Sequence, residues 1–296
     1  MKKLIPLILI LSFLLGACAS PTPIKSNTAE SDVLKVTTSV ASIQWLVDQI
    51  GGEHVQTQSL TTSGDDPHTY EPTPAQMIAM AQSDLYLTAG VEFESVWVPK
   101  FKDSNSSLKV VDVSAGINRI PIADPLHFNA DQQGELDPHV WLAPRNMKVI
   151  AQNVVEALKG IDPKNSTTYQ SNLENVLTKI DDIDSQLSEM LSKTKRNEFL
   201  IIHPSLGYFA EAYGLQMIPV EVNGQEPSPT ELAKILALSQ KYTINTLFTQ
   251  TGTNPLNVEV MAQQTGIQKI VEIDPLAYDW VANMLFIGKS MQAALN

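Results

Sequence analysis

The sequence predicts an α/β protein of two similar lobes, each a parallel sheet flanked by helices, joined by one long helix. Three observations predict it. Short β-rich runs alternate with runs of helical period on both sides of the chain's middle, which implies parallel sheets. Three pieces of the first half then return in the same order in the second. Glu71-Pro72-Thr73-Pro74-Ala75-Gln76-Met77 returns as Glu226-Pro227-Ser228-Pro229-Thr230-Glu231-Leu232, Leu85–Gly90 as Leu247–Gly252, and Val110–Ser114 as Ile270–Asp274. An echo at an offset of about 155 to 160 residues marks two units of like topology. Between them, from Asp162-Pro163 to about Lys193, runs an apolar stripe of Tyr169, Leu173, Val176, Leu177, Ile180, Ile183, Leu187, Met190 and Leu191, spaced by threes and fours. A helix of roughly thirty residues is on the order of 45 Å long, enough to lie along two lobes. Its stripe is too short for a coiled coil and lacks the ordered charged flanks of one, which leaves a monomer.

Taken in order, Leu34-Lys35-Val36-Thr37-Thr38 is a strand, and Ile43, Leu46, Val47 and Ile50 set the period of a helix stopped by Gly51-Gly52. Val55 to Leu60 reads as a second strand, and the loop Ser63–Pro67 carries His68. Ala75 to Gln82 forms the next helix, with Thr73 as its N-cap. Strands follow over Leu85–Thr88 and Leu108–Val113, then a polar, irregular stretch over Ile120–Glu135, then a helix from about Arg145 to Leu158. Phe199–His203 opens the second series. The expected divisions are a signal segment over 1–17, a tether over 18–32, a first lobe over 33–160, the linking helix over 161–195 and a second lobe over 196–296.

Composition narrows the function. With 296 residues, 43% hydrophobic and 18% charged, the chain can bury a full core. A net charge of −12 argues against nucleic acid as a partner, because phosphate binding needs basic surface. Lys2 and Lys3 precede an apolar run from Leu4 to Leu15, too short for a membrane span and built like a secretory signal. The run ends Leu15-Gly16-Ala17-Cys18, which resembles a bacterial lipobox, so a lipid on Cys18 would anchor the exported chain to the outer face of the cell membrane. Cys18 is the only cysteine, which leaves no disulfide framework and no thiolate for a metal.

Four metal-capable side chains stand beside prolines or at the ends of apolar runs: His68, His139, His203 and Asp274. Ligands of parallel sheets collect outside the carboxyl ends of the strands, and His68, His203 and Asp274 each follow a strand. With His139 on the connecting segment, each lobe supplies two ligands to one divalent ion. Three imidazoles and a carboxylate suit Zn²⁺, whereas Mn²⁺ prefers more oxygen donors and sits lower in the affinity order. Bound, such a site would carry about one net positive charge. Asp279 is a rival to Asp274, His54 reads as structural, and His127 lies in the polar stretch where it could assist capture. A zinc hydrolase would need an open coordination position and a general base; there is no His-Glu-x-x-His helix, and Glu71 is the nearest base. No catalytic residue is therefore assigned.

Pro67-His68-Thr69-Tyr70-Glu71-Pro72-Thr73-Pro74, Asp137-Pro138-His139-Val140-Trp141-Leu142, His203 with Gly207-Tyr208-Phe209, Glu226-Pro227-Ser228-Pro229 and Asp274-Pro275-Leu276 together carry a resemblance over about residues 33 to 296. The chain resembles the zinc/manganese-binding lipoproteins of the cluster A-I type, which deliver metal to ABC importers. The resemblance implies Rossmann-like lobes on a rigid helix with little hinge closure, one interlobe metal on His68, His139, His203 and Asp274, and a permease with its ATPase as partners. It points to zinc, because manganese-preferring relatives commonly carry Glu at the place of His203. Manganese selectivity and a surface-adhesin role are the alternatives. Three departures stand out: Gln250 where Glu often follows the strand, Ala143 where Asp often follows Trp-Leu, and a histidine-rich loop reduced to His127.

Overall fold

The computed structural model describes residues 33–123, 135–221 and 225–296. The signal segment, the tether with Cys18, and His127 lie outside the described residues. No helix among the described residues is long and apolar enough to cross a membrane.

The first lobe runs β1 (Leu34–Val40), α1 (Ala41–Gly51), β2 (Val55–Thr61), α2 (Pro74–Met80), β3 (Leu85–Thr88), α3 (Glu92–Ser104) and β4 (Lys109–Asp112). Its strands are parallel in the order β2-β1-β3-β4. After α4 (Pro144–Ile161) and α5 (Ser166–Leu191), the second lobe runs β5 (Glu198–Ile201), α6 (Gly207–Tyr213), β6 (Gln216–Pro219), α7 (Pro229–Lys241), β7 (Thr246–Gln250), α8 (Pro255–Thr265), β8 (Lys269–Ile273) and α9 (Trp280–Leu295). Its order is β6-β5-β7-β8, the same second-first-third-fourth arrangement. The expected two-lobed α/β fold is therefore present. So is the local echo. Thr73 and Ser228 each cap their helix in a full capping box, closed by Gln76 and Glu231 three residues on.

One helix in the first lobe lies outside the sequence reading. α3 contains Pro99 in its interior and buries only Phe93, Glu94 and Phe101, so neither composition nor period announces it. The long helix is also shorter at its start than expected. Pro163–Asn165 form a 3-10 turn, and Asp162 accepts hydrogen bonds from Asn165 Nδ2 (2.7 Å) and Tyr169 OH (2.6 Å) across it. The 26 residues of α5 bury Tyr169, Leu173, Val176, Ile180, Ile183, Leu187 and Leu191, the expected stripe less Leu177 and Met190.

Burial joins the lobes rather than separating them. One continuous core runs from Val36 and Leu46 through Val154, Ile180 and Ile287 to Phe199, Phe248 and Leu276. A second, smaller core of Leu200, Ile202, Ile218, Ile235 and Leu247 lies on the other face of β5. Two tryptophans, both fully buried, clamp the lobes behind the crevice. Trp141 Nε1 donates to Pro275 O (2.7 Å), and Trp280 Nε1 donates to Trp141 O (2.8 Å). On the same side, Ser42 Oγ donates to Ala277 O (3.0 Å) and Tyr278 OH donates to Asp48 (2.7 Å). At the outer side, Gly64 meets Gly252, whose φ is +91°. A Cβ there would stand 2.9 and 3.0 Å from Gly64 C and Cα, so only glycine permits this approach.

Candidate metal centre

Each histidine is delivered by a different local device. His68 follows β2 on a loop where Asp66 Oδ1 accepts its backbone N–H at 2.9 Å. His139 precedes a buried 3-10 turn, Val140–Leu142, and its N–H donates to Asp137 Oδ1 at 2.8 Å. His203 follows β5, where Ser205 N donates to its carbonyl at 2.8 Å. The three rings converge: centroids lie 4.8 Å (His68–His203), 5.3 Å (His68–His139) and 5.3 Å (His139–His203) apart. One ring nitrogen from each lies within 4.8 Å of the others.

The rings are also held from behind. His68 Nδ1 faces Glu92 Oε2 at 2.9 Å, His139 Nδ1 faces Asp137 Oδ1 at 2.8 Å, and His203 Nδ1 faces Glu221 Oε2 at 2.8 Å. In each case Nε2 is the nitrogen left for the centre. His68 Nε2 and His203 Nε2 are 3.0 Å apart.

Electrostatics separates His68 from His139. Burial pulls the His68 pKa down, but Glu92 and, further off, Asp66 and Glu135 outweigh it, so the net shift is upward from the usual value of about 6.5. Burial dominates at His139 and lowers its pKa, against the opposing pull of Asp137. Burial opposes the ionisation of Glu92, yet its contact with His68 leaves its pKa lowered overall.

Asp274 occupies the same cavity as His68 and His139, together with Asp65, Gln250 and Thr251. It stands outside the trihistidine group, and its Oδ1 accepts from Leu276 N at 2.9 Å. The rival Asp279 is the N-cap of α9, accepting from Ala282 N at 3.0 Å. His54 packs edge-on against Tyr169, a structural contact. Gln250 lines the cavity, while Ala143 is buried at the N-cap of α4. Glu92, Asp137 and Glu221 escaped the sequence reading. The available signal was position: Glu92 and Glu221 follow β3 and β6 at their carboxyl ends, as His68 and His203 follow other strands.

Two parallel four-stranded sheets of one topology, closed on a crevice of three converging imidazoles, define a two-lobed binding protein. The chain belongs to the family of the periplasmic zinc-uptake complex component A (ZnuA), which matches residues 36–292. It is similar to the manganese ABC transporter substrate-binding lipoprotein PsaA of Streptococcus anginosus, with 28% identity over 285 residues that span 92% of this chain and 90% of PsaA. The iron ABC transporter substrate-binding lipoprotein MtsA of Streptococcus pyogenes serotype M1 is 28% identical over 88% of this chain and 85% of its own. Among solved structures, a ZnuA deletion mutant with zinc bound superposes with a TM-score of 0.82 at 31% identity, covering 90% of this chain and 99% of that one.

Proposed function

We propose that this protein is an extracytoplasmic solute-binding protein that captures one divalent transition-metal ion between its lobes and delivers it to an ABC importer. The observation that carries the reading is the convergence of three imidazoles, one ring nitrogen each within 4.8 Å. Zinc is the proposed cargo, because nitrogen donors dominate the site. His68, His139 and His203 supply three ligands and Asp274 the fourth, from the wall of the same cavity.

The geometry is close to what the ion requires. Zn–N bonds of about 2.0 to 2.1 Å at tetrahedral angles put two ligand nitrogens about 3.3 Å apart. The His68–His203 pair at 3.0 Å needs to open by a few tenths of an ångström, while the wider separations close. Little else must move, because the tryptophan clamp and the continuous core hold the lobes. Four protein ligands leave no open position for substrate, and no general base is assigned, so the site suits carriage rather than hydrolysis.

The lipid on Cys18, the outer face of the membrane, and the permease with its ATPase complete the proposal. Relatives named as ABC transporter lipoproteins support these parts. A manganese-selective carrier is the second reading, favoured by the similarity to PsaA. The test is a titration of protein lacking residues 1–18 with zinc and manganese in competition, beside His139→Ala. One tight equivalent of zinc, lost in the variant, is the expected result. Manganese outcompeting zinc would reverse the selectivity, and no tight binding of either would end the carrier reading.

A further inference from the structure

We infer that Glu92, Asp137 and Glu221 are positioning residues whose charge sets metal affinity in proportion to its burial. The inference rests on the three histidines being metal ligands. Each carboxylate comes from a separate element: Glu92 is the first residue of α3, Asp137 precedes the 3-10 turn, and Glu221 follows β6. Each meets one imidazole at Nδ1, at 2.8 to 2.9 Å. A carboxylate there favours the proton on Nδ1, which leaves Nε2 as the nitrogen turned to the ion. Three such contacts, one per ring, turn three Nε2 atoms toward one point.

The three differ in exposure. The side chain of Asp137 is 0% exposed, that of Glu221 28% and that of Glu92 36%. Water reaches part of the last two side chains and none of the first, although the Glu92 oxygen at His68 is itself buried, so the Asp137 charge reaches the centre with the least attenuation. Asp137 is also the most costly to keep. Oδ1 takes both the His139 N–H and the ring Nδ1, while the buried Oδ2 has no hydrogen-bond partner and abuts Gly207, where a Cβ would collide with it. A buried carboxylate left half satisfied destabilises the protein until a cation compensates it. Its presence opposes metal-free stability and favours the loaded state.

Asp137→Asn, Glu221→Gln and Glu92→Gln keep an oxygen for Nδ1 and remove only the charge. Zinc affinity is measured for each against wild type, with the metal-free melting temperature and the imidazole ¹⁵N shifts that report the His139 tautomer. The expected losses are about 100-fold for Asp137→Asn and about tenfold for the other two. The metal-free melting temperature of Asp137→Asn should be unchanged or higher, and its His139 should show a weaker bias toward Nδ1–H. A merely structural Asp137 would instead lower melting temperature and affinity together, which would overturn the inference. Unchanged affinity in all three, or equal losses regardless of exposure, would overturn it too. Wild-type protein that binds no zinc would overturn the metal reading and this inference with it, and the wild-type titration tells that failure apart.

Discussion

The two lobes share one strand order yet fill the outer face of their leading strands differently. β1 presents Thr37 and Ser39, both fully buried, on hydrogen bonds: Thr37 Oγ1 with Ser83 Oγ (2.7 Å) and Gln58 Nε2 (2.8 Å), Ser39 Oγ with Tyr86 OH (2.8 Å). β5, its counterpart, presents Leu200 and Ile202 to the small aliphatic core. On the opposite face both strands join the same continuous core, through Val36 and Val40 in one and Phe199 and Ile201 in the other. Alternation along a strand therefore carries two messages: one face is common property of the molecule, and the other is private to its lobe. The hydroxyl layer is directional and fixes the loop after β3, where buried Glu94 accepts the N–H groups of Ala89 (2.7 Å) and Gly90 (2.9 Å) just ahead of the turn that places Glu92. The aliphatic layer carries no such directional constraint.

That contrast can be broken from either side. Leu200→Ala should cost about 2 to 5 kcal/mol, the usual range for a fully buried leucine, and chemical denaturation would show it. A cost under 1 kcal/mol would mean the second lobe's private core carries little of the stability. Thr37→Val removes a hydroxyl and leaves Gln58 without one acceptor, at an expected cost of about 1 to 3 kcal/mol by the same assay. No loss there would reduce the hydroxyl layer to ordinary packing.

Glu94 sharpens the comparison through pH. Burial is the main cause that raises its pKa from the ordinary 4.5 to about 7, against hydrogen bonds from Ser39, Ala89 and Gly90. Between those values the folded chain retains a proton that the unfolded chain releases, so metal-free stability should fall as pH rises from about 4.5 to about 7. Glu94→Gln should flatten that slope in melting temperatures taken across the range; an unaltered slope would assign it to other groups. A fourth effect, on the proposed binding, concerns His68. The His68 pKa is raised, so His68 begins to take up a proton above pH 6.5 as pH falls, and zinc must displace it. Affinity should drop about tenfold per pH unit below that point, and unchanged affinity at pH 5 would exclude His68 as a ligand.

Much of this was legible in the sequence because it is local. The capping boxes at Thr73 and Ser228, the strand runs and the stripe of α5 are patterns within a few residues, and their repetition revealed the lobes. The three histidines were legible because each sits beside a proline. The carboxylates behind them were less so. Glu92 pairs with a histidine 24 positions away and Glu221 with one 18 positions away, and a pairing over such distances has no sequence period. Asp137, two residues before His139, could have been read from the Asp-Pro-His motif itself. α3 was hidden by Pro99, which argues against a helix unless tertiary packing overrides it.

The tryptophan clamp gives the crevice a back and a front. Trp141 and Trp280 fasten the turn after His139 to the loop of Asp274, so those two walls move as one piece. His139 is almost wholly enclosed against them, whereas His68 retains 24% of its side-chain exposure on a loop that meets the other lobe at His203 and through the glycine contact at Gly64 and Gly252. The three rings are therefore reached from one direction: His68 forms the open edge of the crevice and His139 its closed end.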